Sequence, residues 1–298
     1  MKKTDPFKIL VIFIVTFFIV DYTFNKFILH GLKKYYGLTD TTNLALIGHS
    51  QLMLGLDKIK MEENLKVKIS KYTRAGVNVT DRYYMIKQLL ESNSNIDTII
   101  YGLDPWSFTE KGLSKNSYKL FYPFIDDNNI QSFVKDNTTT FDYYLKKYIK
   151  STRLNEQIIS SSIRGYFENW NNLKFGIVDL SRFKKEVAQG KYRRIKNSDL
   201  LVDDLKKTLQ FLTERKITVI LINMPVIDLL VNPQEVEYNA TVDLFKEIAG
   251  QSEYVEYLFF NKSFYSDYDL FFDSIHLNPS GQKIITNELL KYINNIKK

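Results

Sequence analysis

The 298-residue chain contains no cysteine. Disulfides, thiolate metal sites and cysteine nucleophiles are therefore excluded, although the absence of cysteine does not fix a compartment. Histidine is scarce, with only His30, His49 and His276. Three scattered imidazoles and no thiol make a metal site unexpected. There is no glycine-rich phosphate loop, and no cofactor is expected. No linker rich in Pro, Gly or Ser divides the chain. Basic residues and aromatics occur together, but no nucleic-acid motif accompanies them, so nucleic acid is not expected as a partner.

What is present is apolar. Hydrophobic residues make up 44% of the chain and aromatics 14%, ample for a sizeable core and too much for a disordered chain. The formal charge is +7, from 41 basic and 34 acidic residues. The excess is spread over pairs such as Lys33-Lys34, Lys184-Lys185, Arg193-Arg194 and Lys297-Lys298. Such diffuse charge suits a solvated surface and also a protein lying near an anionic membrane.

The N-terminus is more specific. Lys2 and Lys3 precede an uncharged run from Ile9 to Val20, which Phe7 and the mixed stretch Asp21-Tyr22-Thr23-Phe24 extend towards the length of a membrane span. The small residues of a cleavage site do not follow it. The expectation is an uncleaved signal anchor over 1–24, its basic end cytoplasmic, with a connector over 25–43 and the remainder outside the cell membrane. The alternative is a buried core helix.

From residue 44 onward, strand-like and helix-like segments alternate. Leu44–Gly48, Val67–Thr73, Asp97–Gly102, Ile217–Asn223 and Val255–Phe260 read as strands. Gln51–Leu65, Val79–Leu90, Asp199–Glu214, Pro233–Ala249 and Pro279–Ile296 read as helices. Near-continuous apolar strands alternating with helices predict an α/β fold, a three-layer sandwich with a central parallel sheet. The stretch from about 107 to 196 is less regular and rich in Tyr, Phe, Asn and Lys. It reads as a helical insertion. Its aromatics either pack a small core of their own or stand ready to stack on sugar rings.

In a parallel sheet, ligands gather beyond the carboxyl ends of the strands. Gly48-His49-Ser50 ends the first strand, and Gly102-Leu103-Asp104 ends the third. Ser50 is either a helix cap or a nucleophile that needs a base. His49 adjoins it in sequence, so their side chains diverge, which makes His49 a turn residue or pocket wall. His276 stands in Asp273-Ser274-Ile275-His276-Leu277-Asn278-Pro279-Ser280-Gly281, before a helix that Asn278 or Ser280 can cap. Asp-x-x-His spacing lets the carboxylate hold one ring nitrogen while the other faces a hydroxyl. A loop histidine held by a local aspartate is the alternative.

These blocks resemble the SGNH (GDSL-type) hydrolase superfamily: Gly48-His49-Ser50-Gln51-Leu52 resembles its first block and Asp273-x-x-His276-Leu-Asn-x-x-Gly281 its last. The elbow of α/β-hydrolases fits less well, because Leu52 stands where its second glycine belongs. The resemblance implies a flavodoxin-like fold and a Ser50–His276–Asp273 triad. It also implies an oxyanion hole from an amide at or beside Ser50, a glycine after the second strand and an asparagine after the third. The glycine maps to Gly76. At the asparagine's place stands Asp104, whose carboxylate cannot donate, so Asn78 substitutes, or Asp104 is protonated, or ester hydrolysis is weak; Asp104 can also simply start the turn at Pro105. His49, Gly76, Asn78 and Asp104 are thus the expected oxyanion or substrate-binding set. With its anchor, the chain is similar to the membrane-attached branch of DltD-like and alginate-acetylation-type proteins. That likeness implies an acylated glycan or acyl donor as ligand, membrane lipid around the N-terminal helix, and a polytopic membrane O-acyltransferase as partner. It implies esterase or O-acyltransferase activity on a cell-envelope polysaccharide, or else an accessory role without catalysis.

Overall fold

The computed structural model describes residues 5–109 and 116–296. Lys2 and Lys3 of the expected anchor and residues 110–115 of the expected insertion lie outside them. The chain divides into two compact units, one formed by the residues up to Tyr35 with Tyr118–Asn169, the other by Tyr36–Ser117 with the residues from Trp170 onward.

The first helix, α1 (Pro6–Tyr36), is one continuous element of 31 residues. It is long and apolar enough to cross a membrane and stands where a membrane anchor or signal sequence stands. From Phe7 to Val20 its side chains are exposed, whereas a core helix would bury them. It does not stop at residue 24. Asp21, Asn25, Ile28 and Leu32 are buried at three- and four-residue spacing, so the helix continues as an amphipathic one.

In the first unit this stripe receives α5 (Asn128–Asn137), α6 (Thr140–Tyr148) and α7 (Glu156–Tyr166) together with short turns. Phe121, Phe124, Ile130, Phe133, Val134 and Tyr143 are buried. Helix α7 crosses α1 at two glycines: a Cβ on Gly165 would lie 1.9 Å from the Gly31 carbonyl oxygen. Asp21 accepts hydrogen bonds from the amides of Lys150 (2.7 Å) and Ser151 (2.6 Å), which fixes the turn after α6 to the helix.

The second unit is a parallel five-stranded sheet with helices on both faces. Its strands are β1 (Leu44–Gly48), β2 (Ile69–Thr73), β3 (Thr98–Leu103), β4 (Thr218–Asn223) and β5 (Val255–Phe259), in the order β2-β1-β3-β4-β5. Leu44 and Leu46 of β1 share a core with Leu52 of α2 (Ser50–Gly55), Leu56 just after it, Met61 of α3 (Lys58–Leu65) and Leu289 of α12 (Pro279–Ile296). Helix α4 (Val79–Ser92) packs on β1, and α9 (Asp199–Thr213) packs on β4 and on α4. Three further helices, α8 (Leu180–Ala188), α10 (Asp228–Val231) and α11 (Glu235–Ala249), complete the unit; α11 lies along β5. The helix expected over Gln51–Leu65 is interrupted. Asp57 starts α3 by accepting from the Lys60 amide at 3.2 Å, so the apolar periodicity spans two helices.

Strand order 2-1-3-4-5 places the topological switch between β1 and β3, and in such sheets ligands bind beyond the carboxyl ends of the strands at that point. Gly48 ends β1, and Gly102 is the last residue but one of β3. A Cβ on either would lie 2.9 or 3.1 Å from the Leu52 side chain, so the glycines let α2 settle on the sheet through Leu52. At the far end of the chain, Gly281 plays a comparable part, since a Cβ there would lie 2.2 Å from the Leu270 carbonyl oxygen. Gly281→Ala is therefore expected to destabilise the chain by about 1–3 kcal/mol through overpacking against backbone that cannot yield. Urea unfolding of the detergent-solubilised protein measures this; a loss under about 0.5 kcal/mol would show that α12 is free to shift.

Candidate active site

Ser50 is the first residue of α2. Its Oγ lies 2.8 Å from Nε2 of His276. The Nδ1 of the same ring lies 2.8 Å from Asp273 Oδ2 and 3.0 Å from Oδ1. Residues separated by 226 positions thus form one chain of hydrogen bonds. Ser50 and His276 are partly buried and Asp273 is more open, so solvent reaches the group.

Local structure explains how the sequence holds the imidazole. Phe271 and Leu277 form an antiparallel bridge, and the Phe272 amide donates to the His276 carbonyl at 2.8 Å. Residues 273–276 are the tip of this small hairpin. Asp273 Oδ1 accepts from the amides of Ile275 (3.0 Å) and His276 (2.9 Å). Burial acts to raise the Asp273 pKa, but the His276 ring and these amides outweigh it and hold the carboxyl below its ordinary value. Asp273 thus stays ionised and fixes the Nδ1–H tautomer, leaving Nε2 to accept the serine proton. Asn278 then caps α12, accepting from the amides of Ser280 (3.0 Å) and Gly281 (3.1 Å). Gln282, on the first turn of α12, donates to the Leu54 carbonyl of α2 at 2.7 Å. The helix behind the histidine is in this way tied to the helix that carries the serine.

His49 and Asp104, expected in the oxyanion or substrate-binding set, are buried and paired with each other. His49 is 6% exposed and Asp104 1%. His49 is the N-cap of α2; its Nδ1 accepts from the Gln51 amide at 3.1 Å, and its Nε2 meets the Asp104 carboxylate. Because Nδ1 accepts, the ring is neutral and Nε2 carries the proton. Asp104 Oδ1 also accepts from the Trp106 amide at 2.7 Å, and the Asp104 amide donates to Ser107 Oγ at 3.0 Å. Asp104 therefore builds the turn at Pro105 and receives the His49 ring. Burial lowers the His49 pKa; the Asp104 charge opposes this, and Arg82 and Arg193 add to the lowering. Burial would raise the Asp104 pKa, but His49, Arg193 and Arg82 keep the carboxyl ionised far below its usual range. Neither arginine stood out in the sequence: Arg193 read only as part of a charged pair.

Of the expected oxyanion donors, the Ser50 amide sits at the first turn of α2 and forms no hydrogen bond among the described residues. The neighbouring Gln51 amide is used by His49. Gly76 follows β2, which pairs with β1 through Gly48 and Thr73. Its φ of +80° is one that glycine adopts without strain. Asn78 caps α4: its Oδ1 accepts from the Asp81 amide at 2.8 Å, so only its Nδ2 is left to donate elsewhere.

No family model and no curated protein sequence matches the chain. Two solved structures are similar in outline. One is a candidate platelet activating factor from Streptococcus pneumoniae, at TM-score 0.43 and 11% identity over 96% of this chain and 98% of that one. The other is an alpha/beta hydrolase enzyme from the metagenome of Lake Arreo, Spain, at TM-score 0.36 and 13% identity over 86% of this chain and 97% of that one. At these scores the chemistry has to be read from the site itself.

The His49 pair makes stability depend on pH in a defined direction. A folded-state histidine pKa below the unfolded value means that the unfolded chain takes up a proton the folded chain excludes. The contribution is intact above the ordinary histidine value of about 6.5 and declines as pH falls below it. Between pH 7.5 and 5.5 the unfolding free energy of the detergent-solubilised protein should fall, by at most about 1.4 kcal/mol per pH unit for this one group. His49→Gln, which cannot titrate, should be less stable at neutral pH and show a shallower decline. Parallel slopes for the two proteins would exclude His49 as the titrating group.

Proposed function

We propose that this protein is a membrane-anchored, SGNH-like serine esterase or O-acyltransferase acting on acyl groups of a cell-envelope polysaccharide. The observation that carries the reading is the single line of contacts from Ser50 Oγ to His276 Nε2 (2.8 Å) and from His276 Nδ1 to Asp273 Oδ2 (2.8 Å). Ser50 Oγ attacks the acyl carbonyl carbon while His276 Nε2 takes the hydroxyl proton. The carbonyl π-electrons move onto oxygen, and the Ser50 and Gly76 amides, with Asn78 Nδ2, are the available donors for that charge. As the tetrahedral species collapses, His276 returns the proton to the departing alcohol and an acyl-serine remains. A hydroxyl then enters by the reverse sequence, from water for hydrolysis or from a glycan for transfer.

The exposed apolar length of α1 supports the anchor, and a basic N-terminal end supports a cytoplasmic start with the catalytic unit outside. Tethering raises the effective concentration of the serine near lipid-linked or nascent glycan, and near a polytopic membrane acyltransferase as donor or partner.

A second reading has its own observation. The asparagine donor that the resemblance implies is absent, and Asp104 is committed to His49 and Trp106. Loss of one oxyanion donor costs on the order of 10²–10³ in rate. A chain so impaired could serve as a non-catalytic accessory protein to the membrane acyltransferase.

Ser50→Ala separates the two readings. Under the enzymatic one, it abolishes covalent labelling by a fluorophosphonate and abolishes glycan acylation in cells; equal labelling of both proteins removes Ser50 as nucleophile. Under the accessory one, Ser50→Ala cells acylate normally while cells lacking residues 5–20 do not. Asp273→Asn should retain labelling at a rate lower by about 10³–10⁴, because the ring loses its tautomer and the charge that supports its protonated form.

A further inference from the structure

Helix α6 carries a row of uncovered aromatic side chains. Phe141 is 75% exposed, Tyr144 47% and Tyr148 65%. Their three- and four-residue spacing puts them on one face, and Tyr144 and Tyr148 stack in parallel with centroids 6.1 Å apart. The other face of the helix is satisfied, since Tyr143 is buried and accepts from Gln131. Nothing in the catalytic chemistry uses this row.

Its position along α1 is fixed by contacts. Asp21 binds the amides of Lys150 and Ser151 immediately after α6, and the Lys150 ammonium lies 6.0 Å from the Tyr22 ring. Further along, Tyr166 stacks on Phe27 at 4.6 Å and Gly165 meets Gly31. The first unit therefore climbs α1 from residue 21 to residue 35. A span of about 20 residues counted from Phe7 ends near Lys26. At about 1.5 Å per residue, the turn held by Asp21 then lies roughly 7 Å inside that limit. Whatever is tied to Asp21 sits at the depth where lipid headgroups meet acyl chains. The exposed side chains of α6 are the ones that depth favours: tyrosines with an apolar ring and a polar tip, and a phenylalanine.

We propose that the α6 face of Phe141, Tyr144 and Tyr148, together with the exposed Tyr22, Phe24 and Phe27 of α1, seats in the headgroup layer of the bilayer that α1 crosses. The inference rests on the anchor reading of α1. Its occupant is phospholipid rather than a partner protein, because the turn that ends α6 is tied to α1 at Asp21, within the length of α1 that spans the bilayer. The seat makes α1 a fixed post rather than a swivelling tether for the first unit.

The absence of cysteine makes the test direct, since an introduced thiol is unique. The full-length variants Tyr144→Cys, Tyr148→Cys, Phe13→Cys and Glu168→Cys are each labelled with an environment-sensitive fluorophore and reconstituted into phosphatidylcholine–phosphatidylglycerol vesicles. Glu168, exposed just beyond α7, lies past the Gly165–Gly31 crossing and serves as the aqueous reference. The expected result is blue-shifted emission at 144 and 148, quenching by lipids spin-labelled near the headgroup, and loss of iodide quenching relative to 168. Phe13 should be quenched by lipids labelled deep in the chain. Water-like emission at 144 and 148 with Phe13 deep overturns the seat and leaves the anchor. Protection from iodide without lipid quenching means that protein covers the face, and also overturns it. Absence of lipid quenching at Phe13 overturns the anchor, and the seat with it.

Discussion

The docking of α12 on α2 is the constraint on which the site depends. Ser50 is delivered by the first strand of the sheet and His276 by a hairpin preceding the last helix. Nothing local relates them. Their 2.8 Å approach requires α12 to lie where Gln282 reaches the Leu54 carbonyl and Thr286 Oγ1 accepts from the Asp57 amide at 3.1 Å. The close approach at Gly281 and the Leu277 side chain beneath it set the same position from the hairpin side. A hydrogen bond of this kind contributes only about 1 kcal/mol to stability. It is therefore the packing that brings the pair together, and the pair reports whether the packing is right.

The second histidine acts on the same serine by another route. His49 satisfies an orphan amide of α2 and so fixes the turn from which Ser50 projects. Its other nitrogen is anchored in the buried carboxylate of Asp104, at the end of the neighbouring strand. Ser50 is held in this way on both sides: its hydroxyl by a half-exposed His–Asp pair, the turn that carries it by a buried one. The two pairs have the same composition but opposite ring orientation, Nδ1 facing the carboxylate in His276 and Nε2 in His49.

Much of this was legible from residues alone. Continuous apolar strands bounded by Gly, Asn and Asp gave the five strands within one or two positions, because strands buried on both faces have little freedom in composition. Ser50, His276 and Asp273 stood out because histidine is rare here and Asp-x-x-His has a definite geometric use. The break between α2 and α3 was hidden by an apolar period that runs on through it, although Asp57 is a normal helix-starting residue. Helix α1 was read too short because charge enters at Asp21; its polar residues there are buried partners of the first unit, which composition does not reveal. The pairing of His49 with Asp104 joins positions 55 apart, and adjacency to Ser50 drew attention to the wrong relation.

The charge balance behind the serine bears on whether the departure at Asp104 disables the site. A lone buried carboxylate near a developing oxyanion would oppose it strongly. Asp104 is not alone: His49 donates to it, and the guanidinium groups of Arg82 and Arg193 both act on it and on His49. Arg82 is fully buried, and its Nη1 donates to the Gly102 carbonyl at 2.6 Å, at the end of the same strand that delivers Asp104. The Asp104 charge is therefore met by His49 and by two guanidiniums rather than left bare behind Ser50. Asp104 accepts from His49 and from the Trp106 amide and donates nothing through its carboxylate, so the directed asparagine donor of the pattern the sequence resembles has no counterpart at this position.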